Sequence, residues 1–194
     1  DPVVVPLYLT VDVEEWFHAR NLAPYCPPSS YGTLESRVER QLDTLLSLFA
    51  EFGARGTFFM LGSVVARFPQ LAHRVAEAGH ELASHGWSHA SVTDLTPAAF
   101  RRELIDSREC IAQAGGAACD GFRAPNFSIC DWGLDVLAEA GYRYDSSWSL
   151  AAKYHPRYGS ISAARLRPRP AGRAGLIDQT GVIEYPVTAV PLFG

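Results

Sequence analysis

Apolar residues return along this chain in two rhythms. Short β-branched and aromatic runs alternate with longer stretches in which apolar positions recur every three or four residues. The run "VVVPLYLTVDV" (3–13) predicts a strand, with Pro6 breaking it near its start. Residues 33–53 place Leu34, Val38, Leu42, Leu45, Leu46, Phe49 and Phe52 on one helical face, with Thr33 as cap and Gly53 as stop. "GTFFML" (56–61) reads as a buried strand, 63–78 as a helix between Ser63 and Gly79, and "HELAS" (80–84) as a strand. Residues 96–116 begin with a Thr96 cap and Pro97 at the first helical position, then carry Phe100, Leu104, Ile105 and Ile111 along a face. "CDGFRAP" (119–125) and "YRYDSSW" (142–148) predict strands on either side of a short helix over 131–141. Residues 150–180 show no period and predict a long loop; "GVIEYPVTAV" (181–190) predicts one more strand.

Strands alternating with helices predict a parallel α/β sheet rather than a sandwich. In such folds chemistry gathers at the carboxyl ends of strands. The polar residues just past the predicted strands are Asp12, Glu14 and Glu15, then His85 and His89, then Arg123, then Asp145, Ser146 and Ser147. These are expected to converge on one rim.

Composition narrows the picture further. With 194 residues, 47% of them hydrophobic, the chain is expected to form one domain over 1–194. The net charge of −4 argues against a nucleic-acid or anionic-membrane surface. No apolar stretch has the length of a membrane span or the layout of a signal segment, so a soluble, cytoplasmic protein is expected. The chain starts at Asp1, so an upstream segment removed by processing, and hence secretion, stays open. The four cysteines, Cys26, Cys110, Cys119 and Cys130, have no metal-binding spacing and are expected buried and free.

Two stretches carry the candidate chemistry. In "SHGWSH" (84–89), His85 and His89 stand four apart; on one helical turn they would share a side at a separation suited to one metal ion. The plain alternative is a pair of surface or capping histidines. In "TVDVEEWF" (10–17), Asp12 and Glu14 alternate along a strand and point the same way, which is costly unless they are solvated, paired or bound to a cation. Two histidines and a carboxylate form the facial set that catalytic zinc and non-haem iron use, with positions open to water, and a second carboxylate beside it can act as base. Arg123 in "FRAPNFS" is either a surface charge or the partner that orients that base. The turn at Pro125-Asn126 can aim a backbone N–H at a developing oxyanion. Trp16, Trp87, Trp132 and Trp148 lie near strand ends, where one or two can wall a sugar subsite. Asp145 reads equally as a strand-ending turn or a direct participant.

"TVDVEE", "SHGWSH", "FRAPNFS" and "YDSS", in this order with helices between, resemble the polysaccharide deacetylase family, the NodB-homology or carbohydrate esterase 4 domain, over roughly residues 7–190. The first motif, D-V-E-E followed by an aromatic pair, is most similar to the branch associated with exopolysaccharide export. The resemblance implies a distorted, incomplete β/α barrel and metal-dependent removal of N-acetyl groups from a polysaccharide or oligosaccharide, releasing acetate. It implies His85, His89 and a first-motif carboxylate as metal ligands, Asp12 as general base, Arg123 as its support, and Pro125-Asn126 at the oxyanion. Zinc is the expected ion, with cobalt or nickel compatible with the same ligands.

Three departures from the family pattern stand out. Val13 separates carboxylates that are usually adjacent, leaving Glu14 or Glu15 as the second; alternation favours Glu14. Asn126 and Phe127 follow Pro125, where a tyrosine is common. The family's late general-acid histidine has no counterpart after His155, itself in a loop, and the chain stops at "VPLFG" where a further strand is expected. The chain therefore reads either as a fragment or as a domain lacking a catalytic group. A carbohydrate-binding domain without turnover, or an amidohydrolase acting on a small or cyclic amide, are the alternatives these departures leave.

Overall fold

The structure, a computed structural model, describes residues 7–149, 158–170 and 173–187. Pro6 and His155, the start of the first predicted strand and the end of the last lie outside them. Among the described residues eight strands form one mixed sheet in the order β1-β2-β3-β4-β5-β8-β7-β6. The strands β1 (Leu9–Val13), β2 (Gly56–Met60), β3 (Glu81–Ser84), β4 (Gly121–Phe122), β5 (Tyr144–Asp145) and β8 (Ile183–Glu184) run parallel. β6 (Leu166–Pro168) and β7 (Leu176–Asp178) complete the sheet antiparallel. This hairpin lies inside the stretch predicted as loop, and it corrects that reading. Arg165 holds it: its guanidinium reaches Asp178 and also Asp135 of the preceding helix, contacts no local pattern announces.

The helices α1 (Val38–Glu51), α2 (Gly62–Arg67), α3 (Gln70–Glu77), α4 (Pro97–Gly115) and α5 (Asp131–Glu139) link the parallel strands. α1 starts later than its apolar pattern, because Thr33 sits in a turn, donating its hydroxyl to the Ser30 carbonyl. The stretch predicted as a single helix over 63–78 is two, broken at Phe68-Pro69, since proline cannot donate the N–H that would continue the ladder. α4 keeps its expected ends: Thr96 Oγ1 accepts the Ala99 N–H at 3.2 Å, and Gly116 closes it at φ 63°.

Two apolar clusters fill the space between sheet and helices. Val38, Leu42, Phe58, Leu71 and Leu82 pack in one, and Phe100, Leu104, Phe122, Leu134 and Leu137 in the other. Each such side chain stabilises the fold by roughly 1.5–3 kcal/mol on burial. All four cysteines are free, but only Cys26 and Cys119 are buried; Cys110 and Cys130 are half-buried.

The sheet curls without closing. In a flat sheet β1 and β4 would lie about 14 Å apart, three strand spacings. Yet Asp12 at the end of β1 and Arg123 just past β4 are 2.9 Å apart, and Tyr8 and Tyr185 bring their ring centroids to 5.8 Å across the gap between β1 and β8. Curvature thus carries the strand ends onto a common rim, an incomplete barrel. Among the described residues no helix is long and apolar enough to cross a membrane.

Candidate metal centre

Glu14, His85 and His89 each offer a ligand atom within 4.8 Å of the others. Glu14 Oε2 is buried without an aligned hydrogen-bond donor, although His89 Nε2 lies only 2.7 Å away. A buried carboxylate oxygen left facing two imidazoles is the arrangement a divalent cation completes. His85 is buried, and its Nδ1–H donates to the Arg123 carbonyl at 2.8 Å, leaving the Nε2 lone pair for the cluster. Burial holds His85 below the usual imidazole range, against the opposing pull of Asp12. For Glu14 burial favours the neutral acid, but the contact with His89 and the charges of His89, His85 and His18 outweigh it, and its pKa is lowered.

The histidines are not brought together by a helical turn. Residues 85–91 are irregular, with Gly86 at φ 79° and His89 at φ 64°. A left-handed conformation costs a non-glycine residue roughly 1–2 kcal/mol, so something must hold it. From β3, Ser84 Oγ accepts the Gly86 N–H. From α4, Glu103 accepts the Trp87 N–H at 2.7 Å, the Ser88 N–H at 2.8 Å and the Ser88 hydroxyl at 2.6 Å. Glu103 was not singled out from the sequence. The signal was there: it falls on the α4 stripe of Phe100, Leu104, Ser107 and Ile111, where a carboxylate needs a reason.

Asp12 stands beside the cluster, gripped by Arg123 Nη1 at 2.9 Å. Arg123 is buried, donates from Nε and Nη2 to the Ser146 carbonyl and hydroxyl, and lies 4.1 Å from the centre of the Phe59 ring. Its fork is therefore fixed on three sides. His18, also missed, stacks on His89 with 5.6 Å between centroids, and its Nδ1 accepts the Glu15 N–H. Burial first, then His89, lowers its pKa to about 4.

The remaining sequence candidates are placed as follows. Glu15 is buried away from the cluster, where its carboxylate accepts from Ser36 Oγ and, at 3.0 Å, from the Arg37 N–H ahead of α1. Pro125 and Asn126 form a tight turn with Asn126 and Phe127 both at φ 54°; Asn126 Nδ2 donates to Ser91 Oγ. Trp87 packs against Gly62 and faces a cavity of about 580 Å³ along α4, while Trp16 donates its indole N–H to the Glu35 carbonyl. Trp132 and Trp148 pack against the second apolar cluster.

Asp145 is fully buried opposite Glu184 on β8. Asp145 accepts the Ser147 hydroxyl and Glu184 accepts the Trp148 N–H, which leaves one oxygen of each without a protein donor. Burial raises both pKa values, and Asp145 raises Glu184 further. Two such carboxyls cannot both ionise, so the pair holds a proton. Ser147, fixed by Asp145, in turn accepts the Ala124 N–H next to Arg123.

Comparison with known proteins agrees with this geometry. Residues 26–144 match the family model described as polysaccharide deacetylase. The chain belongs to that family. Among relatives, the peptidoglycan deacetylase of Helicobacter pylori is 30% identical over 103 residues, 53% of this chain and 35% of that protein. The chitooligosaccharide deacetylase of Rhizobium leguminosarum bv. trifolii is 37% identical over 141 residues, 69% of this chain and 63% of its own. The chain therefore spans less than two thirds of either. A solved structure from Mycobacterium smegmatis, described as that of a polysaccharide deacetylase by assignment, superposes over 100% of this chain and 68% of its own, with a TM-score of 0.63 at 25% identity.

Proposed function

We propose that residues 1–194 form one deacetylase domain that hydrolyses N-acetyl groups on a polysaccharide or oligosaccharide, releasing acetate. The observation that carries this reading is the orphaned Glu14 Oε2 facing His85 and His89, with the Asp12–Arg123 pair alongside. In it Glu14, His85 and His89 hold a divalent ion, zinc by the chemistry of the donor set, with cobalt or nickel as substitutes. When bound, that ion supplies Lewis acidity toward a carbonyl and lowers the pKa of water.

Asp12 acts as the general base, taking a proton from the water whose oxygen joins the acetyl carbon; as the C–N bond breaks, that proton passes from Asp12 to the leaving amine. Arg123 positions Asp12 and keeps its carboxylate aimed at the rim. The Pro125-Asn126 turn presents a backbone N–H toward the oxyanion. Glu15 and Asp145 serve the framework: the Glu15 carboxylate is taken up by Ser36 and Arg37, and Asp145 is fully buried opposite Glu184, where it fixes Ser147.

The names of the relatives, a peptidoglycan deacetylase and a chitooligosaccharide deacetylase, support an N-acetylated sugar chain as the substrate. The "TVDVEEWF" motif supports placing this chain with the exopolysaccharide-export branch. Acetate release from N-acetylated glucosamine oligomers tests the proposal, before and after chelation and with zinc, cobalt or nickel restored. Release that stops on chelation and returns with metal is expected. Release indifferent to both, or none from any N-acetylated glycan, would overturn it.

A further inference from the structure

We infer that Glu103 is a positioning residue for the metal site: its carboxylate, gripping the loop midway between His85 and His89, holds His89 in ligating position. This rests on the metal reading proposed above. Glu103 stands on α4, outside the ligand cluster, and three of its hydrogen bonds end on Trp87 and Ser88. The carbonyl side of the same loop is held separately, because the Gly62 and Ser63 N–H groups donate to the Gly86 and Trp87 carbonyls. Glu103 thus supplies the acceptor side of a two-sided clamp.

The two histidines depend on that clamp unequally. His85 is anchored without it, through its own N–H to the Met60 carbonyl and its Nδ1 to the Arg123 carbonyl. His89 is the strained one, at positive φ directly after Ser88. Loss of Glu103 leaves the Trp87 and Ser88 N–H groups without their acceptor, and the cheapest relief is rotation of the backbone at 88–89. That movement carries the His89 imidazole away from Glu14 and leaves His85 in place.

The test is titration of metal-free protein with zinc alone, read by calorimetry, for wild type and the variants E103Q, E103A and S88A. Thr96→Ala, at the cap of the same helix, whose hydroxyl accepts the Ala99 N–H rather than holding the loop, is the stability control. Zinc Kd is expected to weaken about 10-fold in E103A, the low end of the effect of losing a group that orients a ligand, because Glu103 holds Ser88, the chain neighbour of His89, rather than His89 itself; the loss is expected to be smaller in E103Q and a few-fold in S88A. T96A is expected to lower the melting temperature of the metal-free protein with Kd unchanged. If E103A does not fold, E103Q and S88A decide the matter. Wild type that binds zinc while E103Q and S88A match its Kd would refute the positioning role alone. Wild type that takes up no zinc would remove the metal reading and this inference with it.

Discussion

Asp12 and Glu14 are two carboxylates, two residues apart, with different partners, and the difference is the heart of the site. Asp12 faces a fixed guanidinium and Glu14 faces two imidazoles. Replacing each by its amide therefore separates the roles. Asp12→Asn is expected to lower kcat at least about 100-fold, the usual worth of a general base, with zinc Kd nearly unchanged. Glu14→Gln is expected to weaken zinc about tenfold or more, and to lose activity through metal loss, so that excess zinc recovers part of it. Calorimetric Kd beside acetate-release kinetics checks both, and a D12N variant that lost zinc as E14Q does would reverse the assignment. Strand alternation made it legible that Asp12 and Glu14 share a side and Glu15 does not. The histidine geometry was not legible, because an i, i+4 spacing fits a helical turn and an irregular loop equally; only Gly86, Glu103 and the positive φ at His89 tell them apart.

At the scale of elements, periodicity located the helical stretches and the parallel strands, but it ran α2 and α3 together as one helix and misjudged where cooperation between distant residues sets an end. α1 begins at Val38 because Glu15, more than twenty residues earlier, takes the Arg37 N–H. The β6–β7 hairpin shows the same dependence. Its strands are three residues each, too short for a pattern, and Arg165 ties them to Asp178 and Asp135. Arg165→Ala is expected to destabilise the fold by about 3 kcal/mol, since it leaves the buried Asp178 carboxylate without its cation. Urea unfolding measures this; a change below 1 kcal/mol, the worth of an exposed ion pair, would mean the hairpin stands without Arg165.

For the whole molecule, the Asp145–Glu184 pair makes stability depend on pH in a direction opposite to that of most carboxylates. The folded pKa values are raised, so the native state holds a proton that the unfolded chain releases above the ordinary carboxylate range of about 4. This contribution is full below that range and is lost as pH rises through the raised value, by at most about 1.4 kcal/mol per pH unit for one proton. Glu14 and Asp178, both lowered, act the other way and are lost in acid. Glu184→Gln keeps a hydrogen-bond donor for Asp145 and removes the shared proton. Its unfolding free energy is expected to fall less than that of wild type from pH 5 upward, and parallel curves would exclude the shared proton.

Residue order alone was enough to point to an alternating α/β chain and to the candidate carboxylates, histidines and arginine just past its strands, because burial periodicity and side-chain chemistry are local properties. The curl that lets Arg123 past β4 reach Asp12 on β1, the left-handed step at His89, the Glu103 clamp and the carboxyl pair between β5 and β8 were decided only in three dimensions. The Asp12–Arg123 contact, the Glu103 clamp and the carboxyl pair join residues 15 to 111 positions apart, and the step at His89 is held by that clamp; such contacts exist only once the intervening elements have packed.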